Sequence, residues 1–271
     1  MKKLLTVVLA VLLIVTLVAG CGQSKKQEPA PPQQQQGSQN ENKNEAVSYK
    51  DGVYYAENAD FDDHGWKAIV TVIVEGGKIT NVFFDEINES GGLKSFDVGY
   101  AANMKDKAGT TPLNAYTNLQ QSLVSKQNPD GVDAVTGATH SSDTFKELAK
   151  KALAGSPVEA KGTYKDGLYK AAEKDFDERG WKGMAAVIIK DGKVVTAAYD
   201  EVNKDGNYKS ADEEYAKNMK DKSGTTPAEA AEALTKSVIA KQDAEVDSVT
   251  GATGTSERFK TLMKEVFALA K

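Results

Sequence analysis

One cysteine, Cys21, stands in the whole sequence, which excludes an internal disulfide framework and a metal cage built from cysteines. Histidine is nearly as scarce: His64 and His140 lack the spacing of a metal-ligand set and read as surface groups. Positive charge is in deficit, with 34 Lys and Arg against 39 Asp and Glu, and loss of Lys2 and Lys3 with a leader makes the balance more acidic still. No basic footprint for nucleic acid remains. The apolar run Leu4 to Val18 is short for a stable membrane span.

That run, preceded by Lys2 and Lys3, has the form of an export signal over residues 1–20. Leu17-Val18-Ala19-Gly20-Cys21 resembles the bacterial lipobox, where small residues permit cleavage and the thiol carries acyl chains such as palmitate. Lipidation is thus the expected use of Cys21; an ordinary signal peptide with an incidental thiol is the alternative. Residues 21–46 are mostly Gln, Asn, Lys, Pro and Ser with almost nothing apolar, including Gln33-Gln34-Gln35-Gln36, too polar to offset the entropy of ordering, and read as a disordered tether. Its root-mean-square span as a flexible chain is roughly 25 to 30 Å. The expected location is the extracytoplasmic face of the cell membrane, held there by lipid.

The remainder is a duplication. Tyr49-Lys50-Asp51-Gly52 lies over Tyr164-Lys165-Asp166-Gly167, and the same offset superposes Gly65-Trp66-Lys67 on Gly180-Trp181-Lys182, Asp85-Glu86 on Asp200-Glu201, and Gly109-Thr110-Thr111-Pro112 on Gly224-Thr225-Thr226-Pro227. One residue is lost after Gln242, and Val135-Thr136-Gly137-Ala138-Thr139 then falls on Val249-Thr250-Gly251-Ala252-Thr253. The period is too long for a solenoid, so two independent domains are expected, 47–156 and 157–271, joined near Gly155-Ser156-Pro157. In each copy Val53 to Ala56, Ala68 to Val74 and Ile79 to Asp85 read as strands of a small antiparallel sheet, with a hairpin at Gly76-Gly77. Pro112 after Thr111 opens a helix with Leu113, Tyr116, Leu119 and Leu123 near one face. Another helix follows each Thr-Gly-Ala-Thr, with Phe145, Leu148 and Leu153 buried and Ser141 or Ser142 as its cap. The class is α+β, twice over.

A Thr-Gly-Ala-Thr turn entering a helix puts a hydroxyl beside free amides, a setting that favours phosphate oxygens. Taken alone it is equally a turn glycine and a capping threonine. Both copies keep more than a cap needs, because Asp133 and Asp247 each stand six residues before the last threonine. The segments Asp133-Ala134-Val135-Thr136-Gly137-Ala138-Thr139 and Asp247-Ser248-Val249-Thr250-Gly251-Ala252-Thr253 resemble those of the covalent FMN-binding domain shared with subunits of ion-pumping redox complexes. The likeness covers nearly all of each repeat, including the upstream Gly-Trp strand and the Asp-Glu pair.

The resemblance implies two covalent FMN groups, each a phosphoester on Thr139 or Thr253, made from FAD by a separate ApbE-type flavin transferase that uses a metal ion. Asp133 and Asp247 are then candidates to orient the threonine for that transferase, a loop turn being their other use. Thr136, Gly137 and Ala138, with Thr250, Gly251 and Ala252, complete the expected cofactor sites. Trp66 and Trp181 read as core in preference to flavin neighbours. The layout is similar to the PplA-type flavinylated lipoproteins of Gram-positive extracellular electron transfer. That likeness implies an electron carrier, without catalytic residues of its own, between a membrane NADH dehydrogenase with its quinone pool and extracellular acceptors such as ferric iron. A solute-binding lipoprotein of a transporter and an envelope adhesion or scaffold module are the alternatives.

Overall fold

The computed structural model describes residues 48–271. The export signal, Cys21 and nearly all of the tether lie outside the described residues.

Repeat 1 opens with β1 (Gly52–Glu57), β2 (Lys67–Glu75) and β3 (Lys78–Ile87), an antiparallel sheet in the order β1-β2-β3. The β2–β3 turn falls at Gly76-Gly77, both at positive φ, as a tight hairpin matched to strand twist requires. Asp51 explains the Tyr-Lys-Asp-Gly signature: its carboxylate accepts from the amides of Gly76 and Gly77 at 2.9 and 2.7 Å, tying the chain start to the hairpin. Helices α1 (Val98–Ala108), α2 (Pro112–Lys126) and α3 (Thr139–Leu153) follow. Repeat 2 has the same plan: β4 (Gly167–Ala172), β5 (Trp181–Lys190) and β6 (Lys193–Asn203), then α4 (Glu213–Ser223), α5 (Pro227–Lys241) and α6 (Thr253–Leu269). Among the described residues no helix is long and apolar enough to cross a membrane.

The sequence reading passes over α1 and α4, whose patterns carry little: α1 buries only Ala101 and α4 buries no residue. Their termini were nonetheless written in the sequence, as an Asp97 or Asp212 side chain accepting from the amide three residues on, and a left-handed Gly109 or Gly224 as stop.

Strand alternation sends Tyr54, Val70, Val72 and Phe84 toward Tyr116, Leu119, Phe145 and Leu148 of α2 and α3, the core of repeat 1. The opposite face, with Val53, Ile69, Ile73 and Phe83, joins Leu168, Ala186 and Ile188 in one cluster that continues into the core of repeat 2. The two sheets therefore pack against each other, and the helices lie outside. This corrects the expectation of independent domains: the repeats belong to one compact unit. It also accounts for β2, whose run from Ala68 to Val74 is buried throughout, since a strand covered on both faces loses its alternation.

Polar groups fix the register of this interface. Thr71 Oγ1 accepts from the Leu168 amide at 2.8 Å, and Tyr208 donates to the Ser95 carbonyl at 2.7 Å. Lys170 Nζ meets the fully buried Asp85 at 2.7 Å. The inter-repeat segment is held too, the Val158 amide donating to the Val53 carbonyl at 2.7 Å beside Gly52, where any Cβ would collide with Pro157.

Asp200 is the counterpart of Asp85, but its partners are the Ser210 hydroxyl and the amides of Glu201 and Ser210, with no lysine. Burial holds its carboxyl above the usual carboxylate range. The folded chain thus binds this proton more tightly than the unfolded chain. The associated stability is fully present below the unfolded value near 4 and is lost as pH rises through the raised folded value. Asp200→Asn is therefore expected to gain stability relative to wild type between pH 4 and 7. Urea unfolding of both proteins at the two pH values checks the sign.

Candidate functional site

Each Thr-Gly-Ala-Thr segment bends into a helix, and the bend needs its glycine. Gly137 and Gly251 both have φ +80, and a Cβ there would strike the carbonyl oxygen of Ala108 or Ser223 at the end of the neighbouring helix. The turn closes with Ala138 N–H on the Val135 carbonyl at 2.9 Å. Ser142 then staples it, accepting from the Val135 amide at 3.0 Å and donating to the Ala138 carbonyl at 2.7 Å, and Ser256 repeats this around Val249 and Ala252.

Neither Ser141 nor Ser142 caps the helix as expected. The N-cap positions are Ala138 and Ala252, which make no side-chain capping bond, and both serines lie inside the first turn. The threonines are not caps either: Thr139 and Thr253 are the first helical residues, both exposed. An initial helical turn also leaves its leading amides without intrahelical acceptors. A free hydroxyl and free amides thus meet at one point in each repeat.

That point opens onto a cavity. In repeat 1 it measures about 360 Å³, with Gly137, Ala138 and Thr139 on one wall and Tyr100, Asn103, Met104 and Lys107 of α1 on another. In repeat 2 it measures about 820 Å³, with Gly251, Ala252 and Thr253 facing Tyr215, Asn218, Met219 and Lys222 of α4. The two helices that the sequence hid are therefore walls of the candidate sites.

Beneath each cavity lies a buried ion pair that the sequence reading missed, although the Asp-Glu signature marked half of it. Glu86 at the end of β3 accepts from Lys94 at 2.5 Å and from Ser141 Oγ at 2.6 Å; Glu201 accepts from Lys209 at 2.8 Å and from Thr255 Oγ1 at 3.2 Å. Lys94 and Lys209 are 5% and 6% exposed, and both line the cavities. Each ammonium also lies over aromatic rings, at 4.7 Å from Trp66 and 4.5 Å from Tyr100, or 5.6 Å from Trp181 and 4.6 Å from Tyr215. The tryptophans are buried beneath these lysines, in keeping with a core role, and neither lines the cavity of its own repeat.

The remaining expected residues lie apart. Thr136 and Thr250 are exposed on the turn. Asp133 and Asp247 are exposed and paired with Lys126 at 3.2 Å and Lys241 at 2.8 Å, outside both cavities. Lys241 holds the Asp247 carboxyl below the usual carboxylate range. His64 and His140 are surface groups as expected, yet both line the repeat 1 cavity, His140 Nε2 lying 3.8 Å from Asp62. Among the described residues no cluster suits a metal ion.

Residues 65–154 and 180–268 each match the family described as the FMN-binding domain. The chain is similar to the 15 kDa lipoprotein of Treponema pallidum (strain Nichols), 40% identical over 106 residues that cover 39% of this chain and 75% of that protein. A crystal structure of a Clostridium perfringens protein is 41% identical over 39% of this chain and 87% of its own, with a TM-score of 0.38. A solution structure from Clostridium thermocellum is 31% identical over 39% and 90%, with a TM-score of 0.28.

Proposed function

Because this chain belongs to the FMN-binding domain family, with two copies in tandem, we propose that it is an electron carrier of the cell envelope with FMN joined covalently to Thr139 and Thr253. The observation that carries this reading is the unused hydroxyl. A threonine retained for capping would accept from the amide of its own helix, whereas Thr139 and Thr253 follow an alanine N-cap and stand exposed at the cavity rim.

The residues present fit the group. Free amides at the helix start, with Lys107 or Lys222 across the cavity, suit a phosphate. The cavity volumes lie within the range of small-molecule sites. When bound, FMN supplies the one- or two-electron chemistry, and the chain supplies position and electrostatics. Lys94 and Lys209 offer fixed positive charge on the cavity wall, each oriented by its glutamate and aromatic pair. The link is a phosphoester to threonine Oγ1, formed from FAD by a separate ApbE-type transferase with release of AMP. Asp133 and Asp247 are open to that enzyme on the outer turn.

Outside the membrane a covalent link prevents loss of the cofactor by dilution. The lipobox-like segment ending at Cys21, together with similarity to a lipoprotein, supports acyl anchoring on the extracytoplasmic face. Burial of acyl chains, at about 0.8 kcal/mol per methylene, then holds the protein without help from anionic headgroups. Donors on this reading are a membrane NADH dehydrogenase and its quinone pool, and acceptors are extracellular oxidants such as ferric iron.

Intact mass spectrometry of the protein, made with and without an active flavin transferase and FAD, tests the cofactor chemistry. The expected result is two transferase-dependent FMN additions that map to Thr139 and Thr253. An unmodified chain, with a control substrate modified in the same reaction, would sink the proposal.

A further inference from the structure

The two cavities share most of their charges. Lys94 and Lys209, Lys107 and Lys222, Asp62 and Asp177, and Glu86 and Glu201 are matched pairs on or directly behind the walls. Repeat 2 adds Arg258, whose counterpart is Thr144. Its guanidinium binds Glu173 at 2.9 Å, Asp177 at 2.8 Å and Glu201 at 2.5 Å. Because Glu173 is likewise an addition, standing where repeat 1 has Asn58, that extra cation and extra anion cancel. Glu213 and Glu214 of α4 lie outside the residues that line the cavity.

One charge difference is left. Arg179 lines the repeat 2 cavity where His64 lines that of repeat 1, and its side chain makes no ion pair among the described residues. His140 also lines the repeat 1 cavity, 3.8 Å from Asp62, where repeat 2 has Gly254. The only two histidines of the chain therefore share one cavity rim, with Asp62, Lys94 and Lys107 as the charged groups facing them. Arginine keeps its charge at every accessible pH, whereas histidine is the side chain that ordinarily changes charge between pH 5 and 8.

Resting on the two-flavin reading above, we propose that His64, His140 and Arg179 set the order of the two flavin potentials and make that order depend on pH. Reduction adds electron density to the ring, and a nearby cation stabilises it. With both histidines neutral, the repeat 2 cavity carries one more positive charge, so its flavin is the more readily reduced. With both protonated, repeat 1 carries one more, and the order reverses. An electron entering at either flavin therefore rests on repeat 2 while the histidines are neutral and on repeat 1 once both carry a proton. The groups are exposed, so the effect is screened by salt.

Single-flavin proteins test this, with Thr253→Val leaving the flavin on Thr139 and Thr139→Val leaving it on Thr253. After mass spectrometry confirms loading, each is titrated with dithionite and redox mediators at pH 5.5 and pH 8, at low and high salt, and followed by flavin absorbance. At pH 8 the repeat 2 flavin is expected to hold electrons at least tenfold more strongly, about 30 mV for a two-electron couple. The difference should shrink or invert at pH 5.5, and salt should reduce it. His64→Arg with His140→Gly in the repeat 1 carrier should abolish its excess pH response and raise its potential at pH 8. Arg179→His in the repeat 2 carrier should do the reverse. Loaded proteins whose potentials coincide at pH 8, or whose difference ignores pH and these substitutions, would overturn the inference and leave the cofactor reading intact. Proteins that accept no flavin would overturn both.

Discussion

On the two-flavin proposal, Thr139→Val with Thr253→Val is expected to abolish all transferase-dependent flavin attachment, and each single variant to halve it. The expected effect is complete because valine keeps the branched shape but has no oxygen to form the phosphoester. Stability should move by only about 0.5 kcal/mol, the range for exposed positions, since neither hydroxyl caps its helix. Serine at the same positions retains a hydroxyl and should retain modification. The measurement is flavin absorbance of the denatured, desalted protein, with intact mass alongside. Flavin retained by the double valine variant would place the attachment elsewhere.

Lys170→Met is expected to destabilise both repeats together by about 3 kcal/mol, the lower end for breaking a buried ion pair. The loss comes mainly from Asp85, which is fully buried on β3 and keeps only the Ser95 hydroxyl and the amides of Ser95 and Glu86 once the ammonium is gone. An anion left in that position has no route to water. Because the apolar cluster runs through both repeats, unfolding in urea should remain a single transition, displaced to lower denaturant. Asp85→Asn with Lys170→Met removes both charges and should recover most of the loss. Two separate transitions, one per repeat, would contradict the shared core.

These expectations rest on different layers of information. The strands and their hairpin were legible because local chemistry suffices for them: Val, Ile and Phe runs broken at Gly76-Gly77 give β2 and β3 as observed. The helix from Pro112 was legible from its proline at the first position and its apolar face. The duplication was legible from residue identities alone, and it carried the cofactor expectation to two positions at once. Helices α1 and α4 were not legible by periodicity, since they bury almost nothing, and so their cavity-lining residues were missed with them.

By itself, then, the sequence determined the local elements, the duplication and the threonine motif, because each depends on residues close together in the chain. The tertiary structure decided three further matters. It made the repeats one body, because the second apolar face of each sheet had no helix to cover it and found the other sheet. It excluded the capping role for the motif threonines, since helix phase, fixed by the Gly137 and Gly251 bends, puts alanine at the N-cap. It also gathered His64 with His140 and set Arg179 at the matching rim, bringing together residues that lie far apart in the chain and whose charges meet only once the loops are folded over the helix starts.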